Sequence, residues 1–417
     1  MRDNGFADLE GISFPDLIPS NDELVKVIDN FSKNGFGAWI VGGAVRDCLL
    51  NGVPDEFDLC TTATPEEVKS IFDETIPTGE KYGTITVKSG DSFFEVTTLR
   101  TEMDYGDGRR PEIINWGSSL AVDLSRRDFT INSMAYDLER ELLFDPYSGV
   151  ADLKMGVLKA VGDAHERLAE DGLRIMRAYR FMDRNKSGIW EPDYALSTAL
   201  IDNRSMLSLV SVERIWAEFS RIILGENAAH VVNRMNQDGI LFAILQESIN
   251  DDLISKLSEL SFDLESRLAL ILSKTKSTKV KEILKRLKIS NFTSKRTILL
   301  HSIIGKAPEL GDLRLYRKII GEDVESHLEL HRALGFSHGN IEKSIQHPID
   351  IQPIVDGNWI MQRTGLRPGV KLGKLKDWLY RIQIERGYTS FDEVESILCT
   401  LPWDVGDESK WPGLVWP

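Results

Sequence analysis

The apolar residues of this chain change their spacing near residue 150. Before that point they cluster in short runs separated by Gly and Asp, at 38–41 (AWIV), 84–87 (TITV) and 93–97 (FFEVT). Runs of this length, bounded by turn residues, predict β-strands. Thr64-Pro65-Glu66-Glu67 predicts a helix start. Thr caps it, Pro takes the first helical position, and the acids face the unpaired backbone N–H groups of the first turn. Beyond about residue 155 the apolar spacing becomes three to four residues, predicting helices over 173–181, 212–223, 264–272 and 372–382. Segments 335–348 and 353–357 read as loops. The fold class is therefore α+β, an α/β head followed by a helical remainder.

A length of 417 residues predicts roughly two to four domains. We divide it into an acidic lead-in at 1–30, the head at 31–150, and helical segments at 151–225, 226–330 and 331–417. Hydrophobic content of 42% with 28% charged residues excludes a wholly disordered chain. No run approaches the ~20 apolar residues that cross a bilayer, so no membrane partner is expected. The first twenty residues are acidic and interrupted, unlike a secretory or transit segment. Three cysteines without zinc or disulfide spacing point to a reducing, cytoplasmic setting.

The net charge of −15 opposes a nonspecific nucleic-acid coat, but two local basic stretches remain. Residues 271–300 carry Lys274, Lys276, Lys279, Lys281, Lys285, Arg286, Lys288, Lys295 and Arg296 against the single acid Glu282. The second stretch holds Arg363, Arg367, Lys371, Lys374, Lys376 and Arg381. They are either solvated helix faces or a divided footprint for a polyanion.

Candidate chemistry begins at Ile40-Val41-Gly42-Gly43-Ala44-Val45-Arg46-Asp47, where an apolar strand meets two glycines and then a helix. Such a turn either is only tight or lets backbone N–H groups approach a phosphate, with Arg46 adding a fork of donors. In Pro54-Asp55-Glu56-Phe57-Asp58-Leu59, strand alternation would project Glu56 and Asp58 to one side. Two such carboxylates repel unless a cation lies between them, and Mg²⁺ prefers oxygen ligands while keeping positions open for phosphates. Glu95 sits within an otherwise apolar strand, where an acid needs a partner or a metal.

In order along the chain, these pieces are followed by Arg126-Arg127-Asp128-Phe129-Thr130-Ile131-Asn132, Asp145-Pro146…Gly149…Asp152-Leu153, Glu170-Asp171-Gly172-Leu173-Arg174-Ile175-Met176-Arg177-Ala178 and Ser211-Val212-Glu213-Arg214-Ile215. Together they resemble the class II (bacterial and eukaryotic) tRNA nucleotidyltransferases and their poly(A) polymerase relatives, densely over residues 35–225 and more weakly beyond. The resemblance implies a polymerase-β-like head, tRNA as partner, CTP and ATP as substrates, and a two-metal Mg²⁺ mechanism. It makes Glu56, Asp58 and Glu95 the catalytic acids, with Glu56 and Asp58 on the metal. The family's Asp-x-Asp is Glu-x-Asp here; a bulge would bring Asp55 into play instead. Gly42, Gly43 and Arg46 would meet the triphosphate, and Arg126 and Arg127 the nucleotide.

Asp171 and Arg174 would form a protein template. Cytosine and adenine both present an amino donor beside a ring-nitrogen acceptor, so a carboxylate next to a guanidinium matches both and mismatches U and G. Arg177 and Arg180 would serve the phosphates or hold the helix. Asp107, Arg109 and Arg110 fall in a segment resembling the family's flexible loop, intact here as CCA-adding members have it. Ser211–Glu218 reads as a structural helix start. RNA backbone contacts are placed at Lys281, Lys285, Arg286, Lys371 and Lys374. His327, His331 and His338 read as structural or surface residues. The favoured expectation is CCA addition to tRNA. An A-only or CC-only relative, a poly(A) polymerase and a noncatalytic tRNA-binding protein remain alternatives.

Overall fold

The computed structural model describes residues 5–103, 114–405 and 407–417. The chain divides into two compact units, Met1–Ser248 and Ile249–Pro417. Among the described residues, no helix is long and apolar enough to cross a membrane.

The first unit is built on an eight-stranded sheet. Its spatial order is Ile12–Ser13, Leu142–Phe144, Ala135–Asp137, Ala38–Val41, Asp58–Thr61, Ser92–Thr98, Thr84–Ser89, Thr75–Gly79. The Ala38–Val41 strand is apolar throughout and buried at every position, which suits a central place in the sheet. Trp39 and Val41 pack with Cys60, Leu99, Leu120, Leu124 and Phe144 in the head core. Helix Asp22–Lys33 buries Leu24, Val27, Ile28 and Phe31, an i, i+3, i+4, i+7 stripe, and Asn21 caps it by accepting from the Leu24 N–H at 3.0 Å. Helix Pro65–Ile71 starts as its sequence predicts: Thr64 and Glu67 form a reciprocal capping box.

Strand structure nearly ends after the head, leaving one short parallel pairing of Val157–Leu158 with Glu191–Pro192 among the described residues. Helices Ala164–Glu170, Leu173–Met182, Tyr194–Asp202 and Val212–Ile223 follow. A buried joint fastens the start of this region to the head. Asp145 accepts from the Gly149 and Val150 N–H groups, and Thr130 donates to Asp152 at 2.6 Å. Only glycine fits at 149, because a Cβ would lie 2.3 Å from the Thr130 carbonyl oxygen.

The second unit is helical, including Leu264–Ile271, Ser277–Arg286, Asn291–Ile303, Val324–Leu334 and Val370–Arg386. The segment expected as a loop at 335–348 contains helix Gly339–Ser344. It spans under two turns, too short for apolar periodicity to register. Arg296, counted above in a basic stretch, is instead the hub of an internal ion cluster with Asp263, Glu265 and Asp323. His327 and His331 are buried and tautomerically fixed. His327 Nε2–H donates to the Ile303 carbonyl and its Nδ1 accepts from the Tyr316 hydroxyl, while His331 Nδ1–H donates to the Ser337 carbonyl and its Nε2 accepts from the Gly305 N–H.

Candidate active site

The catalytic-looking residues come together through strand register. Gly42 closes the central strand with φ 69° and ψ −125°, a conformation that a side chain resists. Helix Gly43–Leu49 then follows and carries Arg46. Val41 pairs with Asp58 on the antiparallel neighbour, and Asp58 pairs with Glu95 on the parallel strand beyond. Register thus sets the two carboxylates side by side at neighbouring strand positions.

Glu56 does not share their strand. Strand structure starts at Asp58, so Glu56 lies in the irregular lead-in, and alternation is not what brings the two together. Its charge still acts on both acids. Desolvation raises the Asp58 carboxyl above its ordinary range, with Glu56 adding to the rise and Arg127 opposing it. Desolvation also raises Glu95, followed by repulsion from Asp58 and Glu56. Glu95 is exposed, because its strand alternates between buried Phe94 and Val96 and open Phe93 and Glu95.

Two adjoining cavities meet at Asp58. The larger, about 630 Å³, is lined by Gly42, Gly43, Glu56, Asp171 and Arg177, among others. The smaller, about 360 Å³, holds Glu95, Thr97, Arg100 and Arg126. Asp58, Arg127 and Arg174 line both. Asp55 lines neither. The two RRD arginines therefore part company, with Arg127 reaching both hollows and Arg126 only the smaller. Asp123 holds both, at 2.8 Å for Arg126 and 3.2 Å for Arg127. Burial alone would raise Asp123, but Arg127 and Arg126 outweigh it and keep the carboxyl low.

Asp171 and Arg174 line the larger cavity but are not helix neighbours. Asp171 stands between helices, where Oδ1 accepts from the Leu173 N–H at 3.0 Å and Oδ2 from Arg214 Nη2 at 2.8 Å. Helix Leu173–Met182 begins after it, with Gly172 at the cap position. Arg174 donates to Glu170, to the Arg167 carbonyl at 2.8 Å and to the Arg126 carbonyl at 2.9 Å. Arg167 likewise donates to the Ser125 carbonyl at 2.9 Å.

Arg177 and Arg180 are committed to internal partners. Arg177 binds buried Asp128 at 2.6 Å, and Arg180 binds buried Glu218 at 2.5 Å. Burial would raise Asp128, yet Arg177 and Asn132 hold it low. Arg46 donates to Asn132 at 2.7 Å and to Asp47 at 2.9 Å. The guanidiniums of Arg46, Arg177 and Arg180 surround the Phe181 ring within 5.3 Å of its centroid. Sequence reading did not single out Asp128, Asn132, Phe181 or Arg221 as site residues, and gave Arg214 a structural role only. The i, i+4 spacing of Asp128 and Asn132 inside RRDFTIN was the available signal for that pair.

The loop residues Asp107, Arg109 and Arg110 lie outside the described residues. Lys281 and Lys285 are exposed on helix Ser277–Arg286. Lys371 and Lys374 are half-buried: Lys371 Nζ lies 5.8 Å from the Trp411 ring centroid and Lys374 donates to the Glu408 carbonyl at 3.2 Å. They brace the C-terminal segment, as lysine stems do when they cover apolar surface. Arg363 and Arg381 are likewise paired, with Glu395 and Glu385.

The chain matches the family model described as the Poly A polymerase head domain over residues 38–159. It also matches the model for a probable RNA and SrmB-binding site of polymerase A over residues 192–251. A CCA-adding enzyme from Lactobacillus delbrueckii subsp. bulgaricus is 33% identical over 366 residues, covering 85% of this chain and 91% of that protein. Among solved structures, the Bacillus stearothermophilus CCA-adding enzyme in complex with CTP superposes with a TM-score of 0.77 at 25% identity, covering 91% of this chain and 97% of that one. The Thermotoga maritima CCA-adding enzyme complexed with tRNA shares the fold at a TM-score of 0.66 and 18% identity, over 91% of this chain and 96% of that one. With a relative of that identity matched along most of both chains, on top of the sheet register and paired cavities, this chain belongs to the CCA-adding enzyme family.

Proposed function

We propose that this chain builds the CCA end of tRNA from CTP and ATP without a nucleic-acid template, in the cytoplasm. The observation that carries the reading is the place of Asp58, between a cavity bearing Asp171 and Arg174 and another bearing Glu95. The larger cavity takes the incoming nucleotide and the smaller takes the RNA 3′ end.

The family's nucleotidyl transfer works with divalent metal ions, and Mg²⁺ suits the donors here. Desolvation pushes both Asp58 and Glu95 up, Glu56 adds to each and Asp58 adds to Glu95, and neither forms an ion pair at hydrogen-bonding distance among the described residues. No described cluster of three or more acid, His or Cys side chains is already gathered as a metal cage. An ion here would complete its shell with phosphate and water oxygens. Asp58, with Glu56 and Glu95, would hold it. When bound, it neutralises phosphate charge and makes the RNA hydroxyl more acidic.

The protein's own part is positioning. The RNA 3′ oxygen bonds to the α-phosphorus, the bond from that phosphorus to the bridging oxygen breaks, and pyrophosphate leaves with the electron pair. Glu95 orients the hydroxyl and accepts its proton. Gly42, Gly43 and Arg46 cradle the triphosphate, and Arg127 faces the transferred phosphate. Asp171 accepts from the base amino group while Arg174 donates to the ring nitrogen, a match for C and A but not for U or G. Arg214 holds Asp171 in place without using all of its acceptor lone pairs. Lys281 and Lys285 supply sequence-independent phosphate contacts for the RNA.

Primer extension tests this directly. A tRNA ending at the discriminator base should gain three nucleotides, one ending in CC should gain one, and one ending in CCA should gain none. Asp58→Asn and metal chelation should each abolish incorporation. Continued A addition would identify a poly(A) polymerase instead, and transfer surviving both treatments would refute the metal mechanism.

A further inference from the structure

Behind the Phe181 wall lies a third hollow of about 300 Å³. It shares Arg46, Arg180, Phe181 and Arg221 with the nucleotide cavity, so the two meet at a common partition. Arg184 and Trp190 belong to the third hollow alone.

The charge balance of this hollow is uneven. Arg46 is matched by Asp47 and Arg180 by Glu218. Asp183, the other acid in the wall, is already occupied by the Asn227 backbone N–H, the Asn227 side-chain amide and the Asn185 N–H, all within 2.9 Å. Arg184 lies over the Trp190 ring at 5.0 Å, and among the described residues neither Arg184 nor Arg221 pairs with a carboxylate. The Arg184 Nε–H and the Trp190 indole N–H are buried without partners, and Trp190 is only 3% exposed. Burial, and then repulsion from Arg177 and Arg221 against the pull of Glu218, lowers the Arg180 guanidinium.

We propose that this hollow receives pyrophosphate as it leaves the nucleotide cavity, held by Arg184 and Arg221. Two guanidinium forks match the geometry of phosphate oxygens. The hollow shares Arg46 with the cavity assigned to the triphosphate, whereas it shares no lining residue with the smaller cavity assigned to the RNA end. That placement favours free pyrophosphate over an RNA backbone phosphate. The inference rests on the nucleotidyl-transfer reading above.

The test is calorimetric titration of inorganic pyrophosphate into the full chain in EDTA, which removes any metal contribution and needs no turnover. Arg184→Gln should weaken pyrophosphate binding roughly tenfold, the worth of one charge-assisted hydrogen bond, and Arg184→Lys should restore part of it. In extension assays the inhibition constant for pyrophosphate should rise by more than the KM for CTP. Equal pyrophosphate binding in wild type and Arg184→Gln overturns the proposal, as does a loss of tRNA binding without a loss of pyrophosphate binding. Circular dichroism of both variants separates misfolding from lost binding, with the Lys variant deciding the question if the Gln variant unfolds. Pyrophosphate binding in a wild-type chain that adds no nucleotide would sink the function reading alone.

Discussion

Base choice by Asp171 can be tested with a substitution that spares the local fold. In Asp171→Asn the amide oxygen can still accept from the Leu173 N–H, so the turn into helix Leu173–Met182 persists. What is lost is the charge and the second carboxylate oxygen, which now binds Arg214 at 2.8 Å. Arg214 and Asp171 are 45% and 30% exposed at the side chain, so their pair is solvent-screened and contributes at most ~1 kcal/mol to stability. Folding should therefore change little. Selection should change much more, because an asparagine can turn its NH₂ toward the base and donate to the O4 of uracil. Replacing an obligate acceptor by a group that serves either pattern forfeits about 1.5–3 kcal/mol of discrimination, the range for a hydrogen bond to a charged group. That corresponds to a drop of roughly 10- to 150-fold in the ratio of kcat/KM for CTP over UTP. The assay is single-nucleotide extension of a tRNA ending at the discriminator base, with each nucleoside triphosphate alone. An unchanged ratio with normal extension by CTP would refute the template argument.

Three further outcomes follow from the same structure. His327 is pushed down to about 3, by burial first and then by His331, and burial also lowers His331. Both stay neutral in the fold but protonate at ordinary pH when unfolded, so the unfolded chain binds more protons and stability falls as pH drops below about 6.5, by about 1.4 kcal/mol per unit for His327. Urea melts at pH 7 and pH 5 should show this loss, and a His327→Gln variant with the same pH slope would disprove the assignment. Gly42→Ala should cost at least 1 kcal/mol and cut activity. It forces a side chain into a left-handed position with its Cβ 3.2 Å from Arg127; full activity with an unshifted melting temperature would contradict this. Glu218→Gln leaves Arg180 half-buried without a counter-charge and should destabilise the fold by about 3 kcal/mol, read as a lowered melting temperature.

The strands at 38–41, 84–89 and 92–98 and the Thr64 capping box were legible because their determinants are local: apolar runs, turn residues and a cap within a few positions. Asp58, Glu95 and Arg127 stood out through the ordered motifs of the family resemblance, since acidic pairs and arginine pairs taken alone are ordinary surface features. Partnerships across long stretches of chain were not legible. Arg46 bonds Asn132 across 86 positions, Arg177 meets Asp128 across 49, and Asp171 meets Arg214 across 43. Nothing in the spacing of one residue type reveals which counter-charge the fold delivers. For the same reason Arg296 and Lys374, counted toward a basic track, proved to be spoken for by Asp263 and by the Glu408 carbonyl.

Arg167 and Arg174 grip the head through the carbonyl oxygens of Ser125 and Arg126 rather than through side chains. Every amino acid offers that oxygen, so the anchor points themselves are immune to replacement. Drift at 125 or 126 leaves these two bonds intact, whereas the Arg177–Asp128 pair and the Thr130–Asp152 bond, which hold the same region to the head, depend on side chains at both ends.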